Sequence, residues 1–233
     1  MPTTPSLKQI QLFMNILDQE YKHFTKPVVT EISELDSNAE HNSDKYKPFQ
    51  ILISTLLSLR TKDETTAKAS YRLFKLADSP QTILKLPRKV LEQLIYPVGF
   101  YKTKALRIKE ICKVLIEQYD SKVPDEIDEL LKLKGVGRKT ANLVVSLGYG
   151  KPGLCIDTHC HRIPNRWGWI RTKTPFETEM ELRRWLPQKY WKEFNDYLVA
   201  YGQNVCRPVG PKCEICRLRK WCEYGAVNLK SRK

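Results

Sequence analysis

The chain has 233 residues and a hydrophobic content of 41%, which is enough to bury a core in one large or two small domains. Its 40 Lys and Arg residues against 26 Asp and Glu give a formal charge of +14, a balance typical of proteins that bind an anionic polymer or a membrane surface. No apolar run approaches the ~18 residues of a membrane-spanning helix and no signal peptide is evident, so we expect a cytoplasmic protein with no membrane partner. Disulfides are disfavoured in that compartment, so a cluster among the seven cysteines indicates metal binding.

Helix signals follow one another along most of the chain. Residues 47–60 are continuously apolar and predict a buried helix, and residues 104–119 predict an amphipathic one. Residues that commonly begin helices mark three further N-termini, at Thr61/Glu64, Ser79/Pro80 and Thr174/Glu177. Because no stretch alternates apolar and polar residues convincingly, as a strand would, we predict an all-α fold.

Residues 31–44 interrupt this helical pattern. They include five acidic residues and neither Lys nor Arg. We therefore expect a solvated linker or loop between an N-terminal helix and the buried helix that begins near residue 47.

A glycine-containing turn separates two predicted helices at residues 124–133 and 138–150. Glycines at two of its positions can adopt a positive φ and have no side chain, which would let backbone N–H groups at the start of the second helix approach a phosphate. The segment is not a nucleotide-binding P-loop, because arginine replaces the glycine that must precede the lysine of that motif. An ordinary helical hairpin without a ligand remains the alternative. The predicted phosphate-binding residues are Lys134, Gly135, Val136, Gly137 and Arg138.

Four cysteines near the C-terminus have the spacing C-x6-C-x2-C-x5-C and are Cys206, Cys213, Cys216 and Cys222. Four thiolates in so short a segment can ligate a [4Fe–4S] cluster. Structural zinc is the alternative, but it typically uses two short cysteine pairs, whereas this segment contains one. The same segment carries Arg207 and Lys212, which predict a second contact with phosphate.

Three segments together resemble one protein family. The hairpin LKGVGRKTA, the segment CIDTHCHRIPNRWGW and the cysteine spacing are similar to those of the endonuclease III family, helix-hairpin-helix DNA glycosylases that carry an iron–sulfur cluster. The resemblance covers residues 47–224, and the segments LIYPVGF and RRWLP are closer to the archaeal and eukaryotic branch than to the bacterial one. It implies a helical barrel with the hairpin at residues 45–150 and a cluster subdomain of residues 1–44 plus 151–233, flanking a DNA-binding cleft.

The resemblance also implies the chemistry. Lys139 matches the family's nucleophile, which attacks C1′ of a flipped nucleotide, expels the base and forms a Schiff base that permits strand nicking by β-elimination. Asp157 matches the catalytic aspartate, which takes up a proton or stabilises positive charge on the sugar. Their non-catalytic alternatives are a phosphate contact for Lys139 and a helix cap for Asp157.

The activity implied is that of a base excision repair enzyme. It would be both a glycosylase for oxidised pyrimidines such as thymine glycol and an AP lyase, acting as a monomer on double-stranded DNA with damaged bases or abasic sites. Its substrate would place it at the nucleoid of a prokaryote or in the nucleus of a eukaryote.

Arg60 and Phe100 match two family positions whose side chains enter the DNA stack. Phe100 can stack on bases, but Arg60 replaces a common Gln and can only donate hydrogen bonds. This departure keeps open an alternative, a monofunctional glycosylase for uracil or thymine mismatched with guanine. Lys134 also departs from the family pattern, because it replaces a Pro.

Two other classes of protein are alternatives. A non-catalytic DNA-binding module would leave Lys139 and Asp157 without a role, and a redox-sensing regulator would be expected to have a ligand domain that is not visible here.

Overall fold

The computed structural model describes residues 4–35 and 47–230, and every regular element in those ranges is helical, which confirms the all-α prediction. None of these helices is long and apolar enough to cross a membrane. A π-helix at Val144–Gly148 continues directly from α9, and short 3-10 helices lie at Gln188–Tyr190 and Arg219–Trp221. The α-helices in chain order are α1 (Leu7–Tyr21), α2 (Val28–Leu35), α3 (Lys47–Ser58), α4 (Asp63–Leu76), α5 (Pro80–Lys85), α6 (Arg88–Ile95), α7 (Tyr101–Gln118), α8 (Ile127–Lys132), α9 (Arg138–Leu143), α10 (Thr158–Trp167), α11 (Pro175–Trp185), α12 (Trp191–Asn204) and α13 (Glu223–Lys230).

The chain folds into two compact units. The central unit is Val28–Gly153, and the terminal unit combines Met1–Pro27 with Leu154–Lys233. Each unit buries its own cluster of apolar side chains, so each is stabilised by a hydrophobic core of its own.

Helix α3 is surrounded by other helices of the central unit. Its apolar residues are buried on all sides because α2, α4, α7, α9 and the π-helix pack around it. The buried helix predicted at residues 47–60 is therefore confirmed for residues 47–58. Helix α7 buries one side only, as its amphipathic pattern predicts, and the buried residues are Ala105, Ile108, Ile111, Cys112 and Leu115.

Two of the three predicted helix caps are present. Ser79 caps α5 and Thr174 caps α11, each by accepting a hydrogen bond from a backbone N–H in the first turn. The prediction that Thr61 caps α4 is wrong, because the N-cap is Lys62 and makes no side-chain bond. Thr61 Oγ1 instead accepts a hydrogen bond from the backbone N–H of Gly99 at 3.1 Å, so a partner distant in sequence has replaced the local one.

The acidic segment is partly helical. Helix α2 extends to residue 35 and buries Val28 and Val29 in the core of the central unit. Residues 31–35 are therefore not the linker or loop that their charge predicts, because the apolar residues beside them pack against α3 and α4. Residues 36–44 of the predicted linker lie outside the described residues.

Packed aromatic rings join α1 to the C-terminal part of the terminal unit. Phe13 contacts Trp167 and Trp169, with ring centroids 4.9 and 4.6 Å away. Aromatic pairs of this kind add about 0.5–1.5 kcal/mol each beyond the burial of their area. The hydroxyl of Tyr197 on α12 also donates to Asp18 Oδ1 on α1 at 2.8 Å. Helix α1 is thus an integral part of this unit's core.

Candidate functional site

The hairpin between α8 and α9 is anchored by its apolar residues. Val136 is buried in the core of the central unit, and its backbone N–H donates to the carbonyl of Leu133 at 2.9 Å. Gly135 has a φ of +93°, which disfavours any residue with a side chain. Gly137 has a φ of −101°, so only one of the two glycines uses the left-handed region. Among the residues that the structure describes, only near neighbours in the chain come within 4 Å of the place where a Cβ of Gly137 would stand, and Gly137 is exposed, so the backbone is accessible there.

The charged residues of the hairpin lie around this anchored turn. Lys134 is exposed, whereas Arg138 and Lys139 in the first turn of α9 are half-buried. The buried face of α9 holds that turn in place, since Asn142 is fully buried and donates from Nδ2 to the Arg138 carbonyl at 3.0 Å. Because the side chain of Val136 points into the core, only the backbone of that residue is available to a ligand.

Asp157 is the N-cap of α10. Its Oδ1 accepts hydrogen bonds from the backbone N–H groups of His159 at 2.9 Å and Cys160 at 2.8 Å. The helix-cap interpretation of this residue is therefore correct, and the cap fixes the orientation of the carboxyl group. The segment before it is also held, since Asn195 Nδ2 donates to the carbonyl of Cys155 at 3.2 Å.

Gly153 has a structural role that was not predicted from the sequence. A Cβ at this position would stand 2.4 Å from the Asn142 carbonyl oxygen, which no real side chain tolerates. The absence of a side chain therefore lets the end of the central unit pack directly on α9. A single glycine in the segment KPGLCID gives little sign of this contact, because the partner lies on another element.

Arg60 and Phe100 lie close together in the central unit. Their φ values are +54° and +58°, both in the left-handed region that residues with side chains seldom adopt. The Arg60 guanidinium carbon is 5.7 Å from the centroid of the Phe100 ring, and Phe100 is 63% exposed. The fold thus brings together two exposed side chains that are far apart in the sequence.

The four cysteines lie in and around the loop that connects α12 to α13. Cys206 Sγ accepts a hydrogen bond from Arg166 Nη1, and Cys222 Sγ accepts one from the backbone N–H of Gly225, both at 3.4 Å. Burial, together with the nearby thiols of the other three cysteines, raises the pKa of Cys222 to about 11. In residues 4–35 and 47–230, no three His, Cys, Asp or Glu side chains are placed to hold a single metal ion.

Arg162 and Arg166 on α10 organise the beginning of this loop, a role that was not predicted from the sequence for either residue. Arg162 Nη2 donates to the Cys206 carbonyl at 2.8 Å. Arg166 donates to the carbonyls of Arg207 and Pro208 at 2.7 and 2.9 Å. Their spacing of four residues, which places both on one face of a helix, is the signal that could have found them. The loop presents Arg207 as exposed and Lys212 as half-buried.

The family model of the HhH-GPD superfamily base excision DNA repair protein matches residues 53–188. Endonuclease III of Thermotoga maritima is 49% identical over 183 residues, which cover 78% of this chain and 86% of that protein. Endonuclease III-like protein 1 of Mus musculus is 41% identical over 183 residues, which cover 77% of this chain and 61% of that protein. These relatives include a bacterial and an animal protein, so the branch to which the chain is closer stays a prediction.

Solved structures that resemble this chain include members of the same family. A non-covalent endonuclease III–DNA complex superposes with a TM-score of 0.82 at 30% identity, covering 97% of this chain and 100% of that one. A trapped endonuclease III–DNA covalent intermediate has a TM-score of 0.81 with the same identity and coverage. A thermostable thymine-DNA glycosylase has a TM-score of 0.73 at 25% identity, covering 94% of this chain and 98% of that one.

Proposed function

This chain belongs to the endonuclease III family within the HhH-GPD superfamily of base excision DNA repair proteins, and from that membership we propose how its own residues carry out the reaction. The chain is a DNA glycosylase and AP lyase. We propose that it removes oxidised pyrimidines of the thymine glycol type from duplex DNA. The observation that carries the proposal is the presence, in one chain of this fold, of Lys139 in the hairpin helix and of Asp157 at the start of α10.

DNA binding would begin with the phosphates. The net charge of +14 attracts the duplex, and the accessible backbone at Gly137 together with Lys134 would contact the phosphates at the hairpin. Arg207 and Lys212 would make a second set of contacts, on a loop whose carbonyls are held by Arg166. Contacts of this kind position the protein on DNA without reading its sequence.

Chemistry would start at Lys139. Its amine nitrogen bonds to C1′ while the glycosidic bond breaks, and the base leaves with the bonding electron pair and then gains a proton. Asp157 would take up the proton released by the amine or stabilise the positive charge that develops on the sugar, with its carboxyl oriented by the cap of α10. Ring opening gives a protonated imine, and loss of the 2′-proton then expels the 3′-phosphate.

The cysteines fit a [4Fe–4S] cluster. We propose that Cys206, Cys213, Cys216 and Cys222 bind it, and that when bound it supplies the iron–thiolate bonds that close the loop. Two of the sulfur atoms accept N–H hydrogen bonds, which stabilise the charge of a metal-bound thiolate. Zinc fits less well, because structural zinc sites typically use two short cysteine pairs and this segment contains one, Cys213 and Cys216.

A second substrate class, uracil or thymine mismatched with guanine, is favoured by Arg60. A guanidinium only donates hydrogen bonds. It can therefore bond to the acceptor atoms of a guanine whose partner has been flipped out, but not to the donor groups of an unpaired base. The structural likeness to a thymine-DNA glycosylase is consistent with this alternative.

Trapping with borohydride tests both proposals. The purified protein is incubated with duplexes that contain thymine glycol, a G·U or G·T mismatch, or an abasic site, because borohydride reduces the Schiff base to a stable covalent complex. We expect trapping and nicking with thymine glycol. Release of uracil or thymine from a mismatch, with trapping only on the abasic duplex and none with thymine glycol, would overturn the first substrate in favour of the second.

The Lys139→Gln variant tests the nucleophile. We expect trapping to fall by about a thousandfold or more while the affinity for an abasic duplex is retained, since glutamine cannot form a Schiff base. Lys113→Gln is the matched control, because Lys113 is an exposed lysine on α7 and is expected to leave trapping unchanged. Trapping by Lys139→Gln at the unaltered rate would mean that the nucleophile is another residue.

A further inference from the structure

Two turns of the central unit carry strained backbone side by side. Arg60 lies in the turn after α3 and Phe100 in the turn before α7, and both have a positive φ without being glycine. Such a conformation is unfavourable for a residue with a side chain and persists only where the surroundings enforce it. Here the conformation of both turns is enforced by hydrogen bonds from a neighbouring side chain.

Lys104 is the residue that binds both turns. Its Nζ donates to the carbonyls of Leu57 at 2.8 Å and Leu59 at 2.6 Å and to Thr61 Oγ1 at 3.2 Å, so each ammonium hydrogen has an acceptor. Leu57 lies in the last turn of α3 and Leu59 directly follows the helix, where backbone acceptors lack partners within the helix and a cation is favourable. On the other side, the backbone N–H of Lys104 donates to the Phe100 carbonyl at 2.9 Å.

Thr61 extends this connection. Its Oγ1 accepts from the backbone N–H of Gly99 at 3.1 Å as well as from Lys104, and it donates to the Leu59 carbonyl at 3.3 Å. The turns approach so closely that a Cβ on Gly99 would stand 2.6 Å from the Arg60 carbonyl oxygen. Arg60 and Phe100 are therefore presented by one hydrogen-bonded assembly of backbone, with Lys104 at its centre.

A lysine at this place requires an explanation, because its charge is half-buried and burial lowers the pKa of Lys104 to about 8. An apolar side chain of similar length would avoid the loss of hydration. What an apolar side chain cannot do is satisfy two carbonyls and a hydroxyl at once. The position is thus consistent with selection for the geometry of the turns rather than for packing.

We propose that Lys104 is a positioning residue, whose ammonium group holds the Arg60 and Phe100 turns as one rigid wedge that enters the DNA stack while the target nucleotide is extruded. This inference rests on the proposed function of Arg60 and Phe100. Because the two turns are already ordered before DNA binds, they lose no conformational freedom on binding. Lys104 therefore acts by favouring the step in which the duplex is opened. Lys104 therefore matters for duplex substrates and is dispensable once the sugar is already accessible.

The experiment compares Lys104→Met with Lys113→Met, the same change at an exposed lysine of the same helix. We expect Lys104→Met to lower kcat for excision from a thymine glycol duplex by about tenfold to a hundredfold. Trapping on a single-stranded oligonucleotide with an abasic site should stay within about twofold of the wild type, because no stack has to be opened there. The Lys113→Met control should match the wild type on both substrates. Equal losses on both substrates, or no loss on the duplex, would overturn the proposal.

A binding measurement separates this inference from the proposed activity. A duplex with a tetrahydrofuran abasic analogue and 2-aminopurine opposite it reports unstacking by fluorescence and needs no catalysis. We expect the wild type to brighten the probe and Lys104→Met to bind with less brightening; equal brightening would contradict the wedge. Thr61→Val, which removes the bridge to Gly99 and keeps the lysine, should give a smaller loss in the same direction. If the wild type brightens the probe but excises nothing, the proposed activity fails while the positioning role stands.

Discussion

The hairpin of the central unit and the cysteine loop of the terminal unit are both basic turns proposed to contact DNA phosphates, yet they are ordered in different ways. The hairpin is short, its apolar residues enter a core, and one glycine supplies the conformation that the turn needs. The loop at residues 206–222 has one short 3-10 helix, and its cysteine sulfurs are acceptors for hydrogen bonds from neighbouring elements. The order of the hairpin is therefore a property of the polypeptide, whereas the loop is held by Arg162 and Arg166 and, as we propose, by the group that its cysteines bind.

The largest expected effect comes from removing a cysteine of the loop. Cys213→Ala should abolish the visible absorption of the cluster and lower the stability of the loop by several kcal/mol, roughly the scale of a lost metal site. Hydrogen exchange should then show faster exchange in α12 and α13, with the central unit still protected.

Cys112→Ala provides the matched control, because Cys112 is buried in the core of the central unit. It should retain the absorption and create only a small cavity, with a loss of about 1–2 kcal/mol. An unchanged spectrum in Cys213→Ala would show that the ligand set is different.

A smaller effect is expected in the hairpin, where the backbone itself can be strained. Gly135→Ala places a Cβ on a residue with a φ of +93° and within 2.9 Å of the Arg107 side chain. The free energy of unfolding should fall by about 1–2 kcal/mol and the affinity for an abasic duplex should fall with it, while the cluster absorption stays unchanged.

The control for this variant is Gly150→Ala. Gly150 has a φ of +64° in open space outside the hairpin, so it imposes similar backbone strain without touching the proposed phosphate contacts. Stability should fall and DNA affinity should not. If Gly150→Ala weakens DNA binding as much as Gly135→Ala does, the hairpin has no specific role in binding.

The smallest expected effect is a pH dependence of the free energy of unfolding that arises from Lys104 in the central unit. The pKa of Lys104 is about 8 in the folded chain and is the ordinary 10.5 when the chain is unfolded. Between these values the unfolded chain binds more protons, so this lysine's contribution to stability rises as the pH increases through that window. The free energy of unfolding of the wild type, measured against Lys104→Met by urea denaturation, should therefore increase from pH 8 towards pH 10. A decrease would mean that the folded protein favours the charged lysine.

Local patterns in the sequence predicted much of this protein correctly. The all-α fold, the apolar core helix and the caps at Ser79 and Thr174 depend on residues within a few turns of one another, which is the range over which helix periodicity and capping act. The spacing of the four cysteines is also a local pattern, and the ligand set that it predicts stays a prediction. The family motifs around Lys139 and Asp157 are equally local; they predicted the family correctly, and the catalytic roles of the two residues stay predictions.

Other features depended on contacts that the sequence does not display. Thr61 has the pattern of a cap but bonds to Gly99, 38 positions away, and Lys104 reaches the Leu57 carbonyl across 47 positions. Residues 31–35 are helical because apolar neighbours pack on other helices, despite their charge. Local patterns specify which helices form and where they begin, because those choices involve neighbouring residues. Packing between helices decides which polar atoms are placed to form hydrogen bonds with the turns. It therefore also decides the backbone conformation and exposure of Arg60 and Phe100.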